Sequence, residues 1–491
     1  MKRHFRIYAC AVLLPLMLLG SSCNDWLDVK PQQQVESEDL FSREKGFEDA
    51  LIACYIKMNS TNLYGRNLTM TFIEYLAQHW DFSSGNGQTE SKIKNFEYTI
   101  EDAESTIRSI YSAMYNVIIQ ANSVLENLET HGDVFETEGI REMIEAEALS
   151  VRAFCHFDIL RMFGQLPQNA TVQVQLPYAK EVTIDMIPYY SYDQFVDLIF
   201  EDLNAAQALL TECDPVLDYT FDDLDNLNAE LKDSFMGYRR FRFNYWAVEA
   251  LKARIYLYLG DKDNARIAAN NVINAKTEDG ESMISLSVNN DFSNGYYTCP
   301  SECIFALSAN NIEDYIRNLF NNNSNYLTEA HYNQLFEGQD VTQNLRAINI
   351  WERTRDAGGT QYYDFRKYRQ PGADDVPDSE YNKWMLKYQV IPLIRLSEMY
   401  LIAMETATSL SEANALYKTY MTARDVPVAK DLTQTELDAE ILKEYRREFW
   451  GEGQMFYTYK RLGTEEMLWK TDRTVTENDY IVPLPSSELA Y

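Results

Sequence analysis

Ala250-Leu251-Lys252-Ala253-Arg254-Ile255-Tyr256-Leu257-Tyr258-Leu259-Gly260-Asp261, continued through Ala265, Ala269 and Val272, is the stretch whose reading decides the fold. Apolar side chains recur at helical spacing up to Leu259, and Gly260 follows as a turn residue suited to positive φ. Small residues then stand where a second helix must cross the first closely. Phe243–Asn274 therefore reads as two helices joined by a tight glycine turn.

The order of aromatic, turn glycine and small residues is that of a tetratricopeptide repeat. Ala413, Tyr417 and Tyr420 echo its second helix, and Ala121, Leu125 and Leu128 do so more faintly. One good match with several weak ones predicts helical pairs rather than a regular array. Further helices are expected at Gly46–Met58, Glu101–Leu128, Ile140–Phe163, Tyr192–Leu210, Arg395–Leu410, Ser411–Arg424 and Thr435–Trp450. The third of these stops at Gly164-Gln165-Leu166-Pro167, a glycine-then-proline ending. Residues 168–190 read as extended, Asp214–Glu230 as a solvated acidic loop, and Ile481–Pro485 as extended. Residues 281–391 are irregular and rich in Asn, Tyr and Gly, with short β-like pieces such as Ile304–Leu307. A long irregular segment in a folded chain that carries many aromatics points to function. The expected fold class is thus mostly α, with a helical-pair scaffold over about 40–275 and 395–462 and an irregular, minor-β ligand-binding region over about 281–391.

The amino terminus reads differently. Lys2, Arg3 and Arg6 precede the apolar run Ile7–Leu19, which is too short to span a hydrocarbon core needing about 20 residues. Gly20-Ser21-Ser22-Cys23 then ends the apolar character, so 1–22 reads as a lipoprotein signal peptide and Cys23 as the acylated (palmitate-bearing) first residue of one domain, 23–491. A formal charge of −31 argues against nucleic acid as partner and against charge-driven binding to an anionic membrane surface, leaving the lipid as anchor. Aromatic content of 13 %, with 34 Tyr, excludes a disordered acidic chain. Tyr in this number suits either a helical core with polar rims or flat surfaces that stack on sugars or peptides. Beyond Cys10 and Cys23, five cysteines remain, too thinly spread for a disulfide scaffold. The Cys299–Cys303 spacing leaves one pairing open.

Chemistry for catalysis is missing from the motifs. The five histidines form no metal-binding pair, and no nucleophile elbow or phosphate-binding loop occurs. No catalytic residue, metal or cofactor is expected. Among 75 acidic residues, carboxylate pairs carry no information. Arg395–Glu405 and Glu444–Gly453 interleave carboxylates with guanidinium groups at helical spacing and read as a buried ion-pair network joining helices. Sugar rings bury their C–H faces on aromatics and need amides or carboxylates for their hydroxyls. Three places combine both beside turn formers: Trp80 with Asp81 and Asn86; Tyr296-Tyr297 after Asn289, Asn290 and Asn294; and Tyr326 among Asn321, Asn322, Asn323 and Asn325. At least one of them is expected to touch ligand.

An ordered set of pieces running nearly end to end resembles the SusD/RagB family of outer-membrane nutrient-binding lipoproteins. These are Cys23-Asn24-Asp25-Trp26-Leu27-Asp28; Arg152-Ala153-Phe154 through Phe163-Gly164 and Pro167; Ala250–Asp261; Arg395 and Glu398 through Glu405 and Ala407; Arg447-Glu448-Phe449 with Glu452-Gly453; Lys460-Arg461; and Pro483-Leu484-Pro485 with Glu488. Gln454 and Thr458 depart from the Arg and Asp frequent in the family, which affects only that local ion-pair pattern. The resemblance implies a lipid-anchored, cell-surface protein of the outer membrane of Bacteroidetes-type bacteria. Such a protein caps a SusC-like TonB-dependent transporter and hands it oligosaccharides, without being an enzyme. The same architecture with peptide or another nutrient as ligand is the alternative, and a secreted hydrolase a remote one.

Overall fold

The computed structural model describes residues 38–83, 87–169, 174–317, 319–320, 324–356, 358–370, 378–486 and 488; the expected signal peptide and Cys23 lie outside these residues. The scaffold helices are α1 (Glu44–Met58), α2 (Glu101–His131), α3 (Ile140–Phe163), α4 (Tyr192–Cys213), α5 (Tyr245–Leu259), α6 (Lys262–Ile273), α7 (Leu396–Thr406), α8 (Leu410–Ala423), α9 (Gln434–Glu448) and α10 (Met455–Leu462). Consecutive helices pack as neighbours: α1 on α2, α2 on α3, α3 on α4, and α5 on α6. Helix α6 then packs directly on α7, although the whole irregular region separates them in sequence. The chain is mostly helical, with small sheets, as the periodicities predict.

Gly260 joins α5 to α6 as the sequence requires. Its φ is +84°, its amide donates to the Leu257 carbonyl at 3.1 Å, and the Asp261 amide donates to the Tyr256 carbonyl at 2.9 Å. This pair of bonds closes a Schellman turn and satisfies two carbonyls that the helix end leaves open. Asp261 then caps α6, accepting from the Asn264 amide.

Short strands lie between α3 and α4 and in the region between the two helical stretches. β1 (Leu176–Pro177) pairs with β2 (Tyr189–Tyr190), β3 (Cys303–Ser308) with β7 (Val390–Arg395), and β6 (Gln361–Phe365) lies between β4 (Leu327–Thr328) and β5 (Trp351–Arg355), all antiparallel. Arg395 therefore ends a buried strand instead of starting a helix. Pro392 had hidden that strand; it is tolerated because β7 has a strand partner on one side only.

Buried charge fastens the irregular region to the scaffold. Glu448, at the end of α9, lies 2.6 Å from Arg395, 2.9 Å from Arg424 and 3.1 Å from Arg346. Glu302 meets Arg395 and Arg424 at 2.9 and 2.7 Å, and Lys367 pairs with Glu452. All these side chains are buried. Burial alone would push the Glu448 carboxyl up, but the Arg424, Arg395 and Arg346 charges hold it well below the usual carboxylate range. The expected structural reading of the charged clusters is what the packing shows.

Two expectations need correction. The stretch 214–230 is not a solvated acidic loop: Asp214 is 3 % exposed and accepts from Arg239 Nε and Nη2 at 2.9 and 3.0 Å, and buried Asp225 meets Arg240 Nε at 2.5 Å. Asp225 ends a short helix, Phe221–Asp225. Carboxylates that a packed arginine can neutralise go inside rather than out. The open question about Cys299 and Cys303 closes as well. Both are free, buried thiols, and Cys303 Sγ donates to the Cys299 carbonyl at 3.6 Å.

Candidate ligand site

The site starts from a short helix, Phe72–Leu76, whose Glu74 is a fixed point. Its carboxylate accepts from the amides of Gly453 (2.9 Å) and Gly451 (3.2 Å) and lies 2.5 Å from His79 Nδ1. Gly453 has φ +71°, and a Cβ there would stand 1.9 Å from the Leu68 carbonyl oxygen, so only glycine permits this approach. The chain leaves the helix through Gln78 and Trp80, both at positive φ. The Trp80 indole enters the core, 0 % exposed, among Phe320, Trp351, Phe365 and Trp450, and its Nε1–H donates to the Met70 carbonyl at 2.9 Å. Trp80 thus adjoins the cavity described below with its indole enclosed by core rings. Its neighbours are core aromatics, and its N–H has a partner inside.

Asp81 behaves differently. It forms an isolated antiparallel bridge with Tyr326, its amide donating to the Tyr326 carbonyl at 2.8 Å. Its carboxylate accepts from the Thr328 amide at 2.7 Å and faces His331 Nδ1 at 2.8 Å. Burial opposes the charged form of Asp81, but the His331 and Thr328 contacts hold its carboxyl below the ordinary range. Two of the three places chosen from sequence therefore meet. Tyr326 is half-buried, edge-on to Tyr362 at 5.5 Å. Asn86 lies outside the described residues.

A cavity of about 440 Å³ opens beside Asp81, lined by Phe82, Lys94, Asn95, Trp469, Lys470 and Asp472. Sequence reading missed Trp469. It stacks on His331 with ring centres 4.6 Å apart and donates its indole N–H to Gln334 Oε1 at 2.5 Å. Trp469 is half-buried and, at φ +70°, sits in a conformation unusual for a bulky residue. Asp472 nearby was the available signal, but no Asn or Gly turn former marks that stretch. Of the nine non-glycine residues at positive φ among those described, Gln78, Trp80, Phe96, Asn325 and Trp469 line or adjoin this cavity. Strained backbone concentrates where function over-determines the structure.

Tyr296 and Tyr297 are half-buried and do not line this cavity. Tyr296 lies edge-on to Tyr388 at 5.2 Å, whose hydroxyl donates to the Asn294 carbonyl at 2.6 Å. A larger cavity, about 670 Å³, is elsewhere again, between Ile52 and Ile56 of α1 and Phe235 and Tyr238. Its walls also bring rings (Tyr238, Tyr315) together with amides (Asn59, Asn310, Asn311); what sets the Asp81 cavity apart is that two of the places chosen from sequence meet beside it. Among the described residues, no group of three or more His, Cys, Asp or Glu side chains could hold a metal ion, and no helix is long and apolar enough to cross a membrane.

A family model described as "Starch-binding associating with outer membrane" matches residues 25–257, and the model of the SusD family matches residues 258–483. SusD-like protein P38 of Formosa agariphila is 21 % identical, covering 99 % of this chain and 97 % of its own. Among solved structures, a SusD superfamily protein from Bacteroides thetaiotaomicron superposes with a TM-score of 0.70 at 20 % identity, over 91 % of this chain and 97 % of that one. A laminarin-binding SusD-like protein superposes with a TM-score of 0.61 at 21 % identity, over the same shares.

Proposed function

The chain belongs to the SusD/RagB family, and from that premise we propose that it is a surface-exposed outer-membrane lipoprotein. In this reading it binds oligosaccharides, hands them to a SusC-like TonB-dependent transporter, and catalyses nothing. The observation that carries the reading is the cavity beside Asp81, where the Trp469 and Phe82 rings stand with Asn95 and Asp472. Ring faces can take the C–H surface of a sugar while the amide and carboxylate take its hydroxyls. A family relative of the same fold is a laminarin-binding SusD-like protein, which supports a glycan over a peptide as ligand. Lipidation at Cys23 would supply the attachment that the acidic surface cannot.

Calorimetric titration of the purified protein with a panel of oligosaccharides and peptides tests this. Saturable glycan binding, with no cleavage products on chromatography, is expected. Saturable binding of peptides alone would replace the glycan reading with a peptide-import one, and cleavage would end the non-enzymatic one.

A further inference from the structure

Lys94 is the last residue of the short helix Gln88–Lys94, and its ammonium reaches the cavity beside Asp81. One of its three N–H groups donates to the Trp80 carbonyl at 2.6 Å. It also stands over the Phe82 ring, whose centre lies 5.7 Å away. Among the described residues no carboxylate stands within 4 Å of it: Asp81 is turned to His331 and Thr328, and Asp472 is held by Lys470 at 2.6 Å. Lys470, the other lysine lining the cavity, is paired with Asp472. Lys94 is not.

We propose that the cavity takes an acidic oligosaccharide, one whose carboxylate or sulfate group seats on the Lys94 ammonium while a sugar face lies on Trp469. This inference rests on the glycan-binding reading above and narrows it to a substrate class. Its physical basis is that a compact ammonium partly out of water, with donors to spare, is a point-charge anchor for an anion. Burial and the nearby Lys470 charge push the Lys94 ammonium down to about 8, against the opposing pull of Asp81, and a bound anion would restore it. The net charge of −31 does not forbid this. Carboxylates more than about 8 Å from the cavity are largely screened at physiological ionic strength, and the two that line it are engaged, Asp81 by His331 and Thr328 and Asp472 by Lys470, which leaves the Lys94 ammonium for an anion.

The test pairs ligands that differ only in charge: oligogalacturonates against their methyl esters, and sulfated oligosaccharides against the same chains desulfated. Each is titrated calorimetrically into the wild type, Lys94→Met and Lys94→Arg. We expect the charged member of at least one pair to bind about 10- to 100-fold more tightly than its neutral partner, as charged hydrogen bonds allow. Lys94→Met should abolish that preference and Lys94→Arg retain it, and the pair that shows the preference tells carboxylate from sulfate. Lys94→Met should keep its helical circular dichroism, because it removes an ammonium without a carboxylate partner at the cost of one bond to the Trp80 carbonyl. Equal affinity within both pairs, or a preference that survives Lys94→Met, overturns the inference while leaving neutral-glycan binding standing. If no glycan of either kind binds, the functional reading falls, and this inference with it.

Discussion

The guanidinium of Arg395, the last residue of β7, lies 2.6 Å from the carboxylate of Glu448, the last residue of α9. This contact ties the strand that closes the irregular region to the helix that completes the scaffold. Because Arg424 and Arg346 share the same carboxylate, Glu448→Gln leaves three buried guanidinium groups short of charge. We expect it to cost about 3–5 kcal/mol, read as a lowered denaturant midpoint. A loss below 1 kcal/mol would mean that Glu302 and Glu444 neutralise the arginines without it.

The same network sets the response to acid. Glu444 is held at about 2: burial opposes its charge, but the Arg346 and Arg447 charges outweigh burial. Glu448 is depressed in the same sense. A carboxylate depressed on folding contributes stability that is present above its unfolded pKa and is lost as pH falls through the folded one. Melting temperature should therefore decline steadily from about pH 4.5 towards pH 2 as far as these groups govern it. Glu448→Gln should flatten that decline, which a calorimetric series over this range would reveal.

Gly260 offers a test of the helical hairpin. A Cβ at that position meets nothing within 4 Å, so the cost of Gly260→Val is the backbone strain of φ +84° rather than a clash. About 1–2 kcal/mol is expected. Gly260→Asn should lose less, since Asn tolerates the left-handed region. Equal stability of wild type and the Val variant would place the turn elsewhere.

Trp469 and Trp80 should part company. Trp469→Ala is expected to fold and to lose about 1–3 kcal/mol of glycan affinity, by analogy with base–aromatic stacking. Trp80→Ala should lose about 3–5 kcal/mol of stability through the cavity it leaves. Titrating Tyr326→Ala and Tyr297→Ala alongside them separates the Asp81 cavity from the Tyr296–Tyr388 strip. Unchanged affinity in Trp469→Ala and Tyr326→Ala, with loss in Tyr297→Ala, would move the site to that strip.

Cys23→Ala should appear in the soluble fraction after cell breakage, since the acidic chain has no charge-based hold on an anionic membrane surface. Retention of the Cys23→Ala protein in the membrane pellet at the wild-type level would count against the lipid anchor.

Helices with long apolar stripes were legible because their period is local: Ile140–Phe163 begins and ends where its pattern, Gly164 and Pro167 predict. Ion pairing was legible too, since so many carboxylates and guanidinium groups at helical spacing can be buried only as partners. Orientation at single residues was not. Nothing in Gln78-His79-Trp80-Asp81 announces two positive φ angles that send the indole inward and leave the carboxylate at the cavity. The hairpin of β5 and β6 escaped notice because its alternation spans only five residues per strand. Trp469 escaped because its partners, His331 and Gln334, come from another part of the chain.

The bridge between Asp81 and Tyr326 has a bearing on biosynthesis. One wall of the cavity comes from Asp81 and Phe82 and another from Trp469, far later in the chain and so made later in translation, with Tyr326 between them. A nascent or truncated chain can hold most of its helices and still be blind to ligand. If the proposed site is right, a carboxy-terminal deletion just before Trp469 should give a protein that is helical by circular dichroism and silent in titration.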